Sequence, residues 1–245
     1  MNIFKKLKLL PNALLGYERS DPYRNGEFNF IKSFIKKGMT IFDVGANIGD
    51  HTKYMLKINP DIKVYCFEPV LKTYKVLENN LLNEIKKGKV IINNFGLSNE
   101  IKEAEIFIYE DLSGNNSLYF YEGYNVNINT VNREKIILST INKYAEKNNI
   151  ISIDFLKIDV EGNETKVIKG ASELIEKRAI KCIQFEYNAT WTASESKLEN
   201  IFNYLSKYGF KFYRLTIWGK IHVKYFNKKL VNYKHSNYVA ILNED

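Results

Sequence analysis

The sequence has few of the residues that mark several large classes of protein. It contains two cysteines and four prolines in 245 residues, and no apolar run approaches the roughly 20 residues of a membrane-spanning helix. Cys66 and Cys182 lie in apolar, strand-like contexts and lack the spacing of a metal site. These features disfavour a disulfide-rich secreted domain, a zinc module and an integral membrane protein. They predict buried thiols in a reducing cytoplasm.

Arginine is scarce as well. The net charge of +8 comes almost entirely from lysine, and the arginines are Arg19, Arg24, Arg133, Arg178 and Arg214. Proteins that read bases and phosphates specifically rely on the planar fork of arginine. The lysines are interspersed with Asn and Ile, so the composition favours a solvated lysine surface and no specific nucleic-acid partner.

Residues 1–15 mix apolar residues with lysines. Lys5, Lys6 and Lys8 interrupt the continuous apolar region that a signal peptide needs. We expect a helical N-terminal extension over residues 1–37 that packs on the core. A basic helix that touches an anionic membrane from one side is the alternative.

Residues 41–52 organise the rest of the chain, because they predict a buried strand, a glycine turn and the start of a helix. Gly45 and Gly49 permit positive φ and a close approach of the backbone to a ligand. Asp50 is the expected cap of the helix. In open α/β sheets a ligand binds at the carboxyl end of such a strand.

The residues around this turn favour one type of ligand. Asn47 stands where the dinucleotide fingerprint has its second glycine, so a pyrophosphate fits poorly. Asp43, at the strand tip, would repel a diphosphate and attract a cationic amine. Glu68 ends the next predicted strand about 20 residues on, where an acid accepts hydrogen bonds from ribose hydroxyls. S-adenosylmethionine, which carries an ammonium and a sulfonium and no phosphate, satisfies both conditions.

The remaining chain alternates predicted strands and helices and ends in a pair of strands. This order predicts an α/β fold with a mainly parallel seven-stranded sheet, one antiparallel edge strand and helices on both faces. Residues 38–245 form one domain in this interpretation. Residues 111–132 are rich in Asn, Gly, Ser and Tyr and predict an insertion or lid loop, whose aromatic residues either stack on a sugar or anchor the loop.

Four carboxylates, Asp43, Glu68, Asp159 and Glu186, each end a predicted strand. Because the carboxyl ends of parallel strands meet at one edge, these groups repel one another unless a cation shares the space. A sulfonium cofactor supplies part of that charge. No metal is predicted, although Asp159 and Glu186 are the expected ligands if the protein is metal-dependent.

Three strings carry a family resemblance. The segments Phe42–Gly49, Phe67–Pro69 and Leu156–Glu164 resemble the FkbM family of S-adenosylmethionine-dependent methyltransferases. The resemblance implies a class I methyltransferase fold, with helices around a Rossmann-like sheet. It also implies O-methylation of a sugar or another small molecule, and a cell-surface glycan or its nucleotide-sugar or lipid-linked precursor is the expected acceptor.

The resemblance also assigns roles to individual residues. Glu68 would hold the ribose, next to Pro69, and Asp159 and Glu161 would face the reaction centre. The methionine part of the cofactor and the adenine would contact two further sets of residues. These are Asp43, Gly45, Ala46, Asn47, Gly49 and Thr52 for the methionine part, and Leu97 and Ser98 for the adenine.

A sugar hydroxyl must lose a proton during methyl transfer. Our hypothesis is that Asp159, with Glu161 or Glu186 assisting, accepts this proton, because like charges nearby raise the basicity of a carboxylate. His51 is a competing candidate, but its place on the first helical turn favours cofactor packing or surface exposure over a role as base. Two other functions stay open: an RNA-directed methyltransferase that uses the basic surface, and a nucleotide-binding oxidoreductase on a similar sheet. The sequence leaves the oligomeric state undetermined.

Overall fold

The computed structural model of the protein describes residues 20–194 and 196–243. The described strands are β1 (Thr40–Val44), β2 (Lys63–Phe67), β3 (Val90–Asn93), β4 (Gly96–Leu97), β5 (Lys102–Ile108), β6 (Asn132–Ser139), β7 (Phe155–Ile158), β8 (Cys182–Tyr187), β9 (Phe210–Thr216), β10 (Gly219–Val223) and β11 (Ser236–Leu242). The described α-helices are α1 (Glu27–Phe34), α2 (Asp50–Ile58), α3 (Leu71–Asn80), α4 (Leu82–Lys86), α5 (Ile141–Lys147), α6 (Glu164–Lys169), α7 (Ser172–Glu176) and α8 (Leu198–Ser206).

The main sheet has eight strands in the order β10-β9-β11-β8-β7-β1-β2-β3. The run from β8 to β3 is parallel, which confirms the predicted α/β class. The prediction of seven strands missed β10, a hairpin partner of β9 at the sheet edge. One antiparallel strand was predicted at the edge; instead, β11 is antiparallel to both of its neighbours and lies between β8 and β9 inside the sheet.

Strands β1, β7 and β8 form the centre of this sheet. They are short and almost wholly buried, as parallel strands covered by helices on both faces must be. The register sets Asp43 of β1 directly opposite Lys157 of β7. Two charged side chains therefore meet inside the sheet, just before its carboxyl edge.

A second sheet of three strands, β4-β6-β5, was not predicted. The sequence Gly-Leu-Ser-Asn at residues 96–99 predicts a turn, but Gly96–Leu97 pairs in parallel with the end of β6. Strand β6 itself overlaps the end of the predicted 111–132 loop and the start of a predicted helix. Its residues alternate between buried and exposed. This alternation identifies a strand only once β5 is known to pair with it in the antiparallel direction.

Three helix predictions differ in detail from the structure. The apolar spacing of residues 71–87 predicts one helix, but this segment breaks at Leu81 into α3 and α4. Residues 167–177 likewise predict one helix, and this segment breaks at Gly170 into α6 and α7. A Cβ on Gly170 would lie 2.0 Å from the Ser98 carbonyl oxygen, so this break permits a close approach of two chain segments. Asp50 does not cap α2; the capping position is Gly49, with φ 93°, and no side chain caps the helix.

The N-terminal part of the described chain packs on the main sheet. Helix α1 buries Phe28, Phe30 and Ile31 against β1, β2 and neighbouring strands. The prediction for residues 1–15 lies outside the described residues. Among residues 20–194 and 196–243, no helix has the length and apolarity needed to cross a bilayer.

Candidate functional site

A cavity of about 460 Å³ opens at the carboxyl edge of the parallel strands. Two different walls enclose it. We call the residues that follow β1, β2, β7 and β8 the motif wall; its lining residues fall within 44–47, 67–70, 159–163 and 186–190. We call the opposite side the added wall; its lining residues are Ile106, Ile136 and Leu138 of the small sheet, residues from 113 to 124, and Tyr233 and His235.

The glycine turn after β1 forms the floor of the motif wall. Gly45 has φ +77°, and a Cβ there would lie 1.8 Å from the Asp159 carbonyl oxygen. The backbone N–H groups of Gly45 and Ala46 both donate to the Phe67 carbonyl. Strands β1, β2 and β7 therefore converge at this glycine, and no larger residue fits the approach.

Glu68 has the geometry of a hydrogen-bond acceptor at the cavity. Its two carboxylate oxygens accept from the backbone N–H groups of Asn47 at 3.1 Å and Val70 at 3.0 Å. Burial raises the pKa of Glu68 to about 7, against the lowering effect of these two hydrogen bonds. Each oxygen retains a lone pair for a ligand hydroxyl.

Lys157 is a buried cation that the sequence analysis did not select. Its Nζ lies 3.1 Å from Asp159 and 3.6 Å from Asp43, and its side chain is 2% exposed. Thr52 donates to the other oxygen of Asp43 at 2.7 Å. Asp43 thus holds Lys157 in place inside the sheet, and Lys157 in turn places a positive charge behind Asp159.

Three carboxylates, Asp159, Glu161 and Glu186, have ligand atoms within 4.8 Å of one another. Burial alone would raise the pKa of Asp159, but the Lys157 charge and a hydrogen bond from Glu186 outweigh it and hold that pKa well below its usual value. Burial and the Asp159 charge raise the pKa of Glu186. Asp159 is therefore ionised, and Glu186 carries the proton that joins the pair.

Glu161 is the third carboxyl of this group. Burial and the charges of Glu186 and Asp159 raise its pKa well above the usual value. Asn188 Nδ2 donates to Glu161 at 3.0 Å and to Glu186 at 3.2 Å, and so bridges them. Glu161 also has φ +53°, an uncommon conformation for a residue with a side chain. Ser117 of the added wall donates to its carbonyl at 2.6 Å and supports this backbone.

His235 completes the cluster from the added wall. Its Nδ1 contacts Glu186 Oε1, whereas its buried Nε2 has no hydrogen-bond partner among the described residues. Sequence reasoning missed His235 because only parallel strands were expected to bring residues to this edge. Strand β11 is antiparallel, so its first residues, next to His235, lie at the same edge as the ends of β7 and β8.

A second histidine, His51, lies on the other side of the cavity. Its Nε2 is 3.2 Å from Glu27 Oε2. Glu27 also accepts from Asn25, Gln184 and Asn237, so a saturated network ties α1 to β8 and β11. Burial opposes ionisation of Glu27, but the hydrogen bond from His51 and its charge lower the pKa overall. His51 thus lines the cavity and anchors this network at once.

The predicted site residues separate into two groups. Eight of them line the cavity: Gly45, Asn47, Glu68, Pro69, Leu97, Asp159, Glu161 and Glu186. Five others are buried outside its lining: Asp43, Ala46, Gly49, Thr52 and Ser98. The three clustered carboxylates are close enough to share one cation. Because Lys157 already offsets the charge of Asp159 and burial raises the pKa values of Glu161 and Glu186, we assign no metal to them.

Comparisons with known proteins agree on the type of protein. The sequence profile of the methyltransferase FkbM domain matches residues 43–212. "Methyltransferase sdnD" of Sordaria araneosa is 29% identical over 157 residues, covering 54% of this chain and 60% of that protein. "Methyltransferase 1" of Beauveria bassiana is 26% identical over 147 residues, covering 54% and 58%. The match therefore spans about 60% of the length of these curated relatives.

One solved structure resembles the fold over nearly the whole chain. It is the crystal structure of methyltransferase FkbM from Methylobacillus flagellatus, with a TM-score of 0.57. The sequences are 16% identical, and the similarity covers 95% of this chain and 51% of that one. The sheet with its antiparallel β11 therefore has a class I methyltransferase fold.

Proposed function

Because this chain belongs to the FkbM methyltransferase family, we propose that it transfers a methyl group from S-adenosylmethionine to a hydroxyl of a small molecule or sugar. The observation that carries this proposal is that one cavity is lined both by Glu68 with the glycine turn and by an acidic cluster. The first matches a ribose, and the second matches a cationic group beside a proton-transfer site.

The lining residues fit the parts of this donor. Glu68 offers carboxylate oxygens to ribose hydroxyls beside Asn47. Val70, Leu97, Ile106, Ile136 and Leu138 supply an apolar section suited to a flat heterocycle. The volume of about 460 Å³ lies in the range of small-molecule pockets. When bound, S-adenosylmethionine supplies a methyl group activated by its sulfonium charge.

The source of the negative field differs from our expectation. Asp43 is fully buried beside Lys157 and lies outside the cavity lining. Asp159, which is ionised, lines the cavity with its side chain 32% exposed. The attraction for a cationic ligand therefore comes from Asp159, whereas Asp43 holds the lysine that keeps Asp159 ionised.

His235 is the better proton acceptor in this arrangement. The Lys157 charge and the hydrogen bond from Glu186 hold the pKa of Asp159 well below its usual value, and a lower pKa makes a carboxylate a weaker base. The contact between Nδ1 of His235 and Glu186 favours a proton on Nδ1, so Nε2 keeps its lone pair. We propose that Nε2 takes the hydroxyl proton and that Glu186 orients the ring.

The acceptor is proposed from the chemistry of the added wall. Tyr121 and Tyr124 line the cavity beside polar residues 113–116, and aromatic faces with neighbouring amides and hydroxyls suit a sugar ring. A cell-surface glycan or its nucleotide-sugar or lipid-linked precursor is the acceptor that we propose.

Calorimetry tests donor binding. Titration with S-adenosylhomocysteine, the stable product, should release heat, whereas NAD should release none. Glu68→Gln should weaken this binding about tenfold or more, because a charge-assisted acceptor is lost. Glu122→Gln, on the exposed 3-10 turn of the added wall, is the matched control and should bind like the unaltered protein. Heat with NAD and none with S-adenosylhomocysteine would contradict the proposal.

Labelled methyl transfer to a cell-envelope sugar extract tests the chemistry. His235→Asn should lower kcat about a hundredfold or more with unchanged binding of S-adenosylhomocysteine. His222→Asn, an exposed histidine of β10, is the control. Equal activity of the two variants would remove His235 from proton transfer.

A further inference from the structure

Within residues 20–194 and 196–243, the net positive charge is concentrated at one end of the main sheet. Residues 200–243 contain no Asp or Glu, whereas the charges of residues 20–199 nearly cancel. The basic residues of this acid-free segment are Lys207, Lys211, Arg214, Lys220, Lys224, Lys228, Lys229 and Lys234. Because β10, β9 and β11 are neighbours at one end of the sheet, a segment that is continuous in sequence is also continuous in space.

Large apolar side chains are exposed in the same segment. Trp218, at the tip of the β9–β10 hairpin, is 80% exposed, and Tyr225 is 73% exposed. Ile221, Val231 and Tyr233 are exposed as well. Exposed aromatic and aliphatic groups next to lysines are typical of surfaces that enter the headgroup region of a bilayer.

The hairpin tip lies at the level of the cavity. The antiparallel register of β11 with β9 and β8 places Thr216, Ser236 and Tyr187 at one height in the sheet. Trp218 follows Thr216 by two residues and so protrudes beyond this edge. Tyr233 and His235 line the cavity at the same edge. A flat surface that contacts the tip would therefore lie beside the cavity.

We propose that residues 214–234 form a docking surface for an anionic membrane, which we call the basic hairpin surface. Lysine, as a hydrated point charge, suits diffuse anionic headgroups, whereas specific nucleic-acid readers rely on arginine forks. Exposed Ile221 and Val231 gain nothing from base stacking but gain from entering lipid. The proposal does not depend on the identity of the reaction in the cavity.

Sedimentation of the full chain with vesicles tests the charge. Binding should occur with phosphatidylcholine vesicles that contain phosphatidylglycerol and not with phosphatidylcholine alone, and salt should reverse it. Each lysine near an anionic surface contributes about fivefold in affinity. Replacing Lys220, Lys224, Lys228 and Lys229 together by Gln should therefore weaken binding by a factor on the order of several hundred.

The matched control removes the same charge elsewhere. Lys53, Lys57, Lys75 and Lys86 are exposed on α2, α3 and α4, at the other end of the sheet, and their joint replacement by Gln should change binding less than about twofold. Equal losses in the two four-lysine variants would show that net charge alone drives binding and would overturn the proposal. Failure to bind either vesicle, or stronger binding to polyuridylate than to anionic vesicles, would overturn it too.

Fluorescence tests which side chain enters the lipid. The protein has two tryptophans, and Trp191 is 1% exposed whereas Trp218 is 80% exposed. Anionic vesicles should shift the emission of Trp218 to shorter wavelength, and Trp218→Ala should abolish the shift and weaken binding. An unchanged emission spectrum in vesicle-bound protein would contradict insertion of the hairpin tip.

Discussion

The two walls of the cavity differ in how the chain builds them. The motif wall consists of residues that directly follow consecutive parallel strands, and backbone contacts such as that of Gly45 with Asp159 fix it. The added wall combines the small sheet, a largely irregular segment and the start of an antiparallel strand, regions far apart in sequence. Its contacts with the motif wall include side-chain hydrogen bonds such as Ser117 to Glu161.

Because the two walls are built differently, we expect them to have different roles in ligand binding. The motif wall holds the buried charges and a glycine with no room for a side chain, so its shape tolerates little change. The added wall supplies tyrosines, short polar side chains and His235 from segments that can vary in length and sequence without disturbing the sheet. In our proposal the motif wall binds the ribose and the charged part of the donor, the small sheet of the added wall completes the apolar site for the heterocycle, and the other residues of the added wall choose the acceptor.

Removal of the buried cation should have the largest effect on the motif wall. Lys157→Met leaves Asp43 buried without its ion pair, and such a loss costs about 3–5 kcal/mol of unfolding free energy. Lys169→Met, at an exposed position of α6, should change that free energy by less than about 0.5 kcal/mol. Urea unfolding of both variants measures the difference. A cost below about 1 kcal/mol for Lys157→Met would show that the wall does not depend on this lysine.

The same contrast explains what the sequence could predict. Asp159 and Glu186 were found because each ends a parallel strand, and the carboxyl ends of such strands share one edge whatever the rest of the chain does. His235 was missed because its position depends on β11 running antiparallel between β8 and β9. Lys157 was missed because its contact with Asp43 depends on the register of two strands that lie over 110 residues apart in sequence.

The small sheet shows the same limit for the fold. Strand β6 alternates buried and exposed residues, but a single alternating segment next to a Tyr-rich loop does not identify its partner. Pairing with β5 across the intervening segment brings Ile106 and Ile136 to the cavity. Such long-range antiparallel pairing depends on tertiary contacts, and local patterns carry little information about it.

Two glycine substitutions compare the walls directly. Gly45→Ala should cost about 3 kcal/mol of unfolding free energy and abolish binding of S-adenosylhomocysteine, because the new Cβ would lie 1.8 Å from a backbone oxygen at a φ of +77°. Gly114→Ala, in the added wall, meets only Asn47 Nδ2 at 3.6 Å and should be nearly neutral. Thermal unfolding and calorimetry measure both. Similar losses of unfolding free energy at the two positions would show that the two walls tolerate substitution equally well, against our proposal.

The two walls should also differ in how pH changes the stability of the protein, and this is the smallest effect that we expect. Burial raises the pKa of Glu68 to about 7, so between about pH 4.5 and pH 7 the folded protein keeps a proton that the unfolded chain has lost. Stability must then fall as pH rises through this window, by at most about 1.4 kcal/mol per pH unit for one group, and level off above it. Glu68→Gln should reduce the decrease of unfolding free energy with pH by about 1 kcal/mol per pH unit. Glu122→Gln, at an exposed position of the added wall, should leave the pH dependence unchanged. Urea unfolding at a series of pH values measures the slopes, and identical slopes for the two variants would show that Glu68 titrates normally in the folded protein.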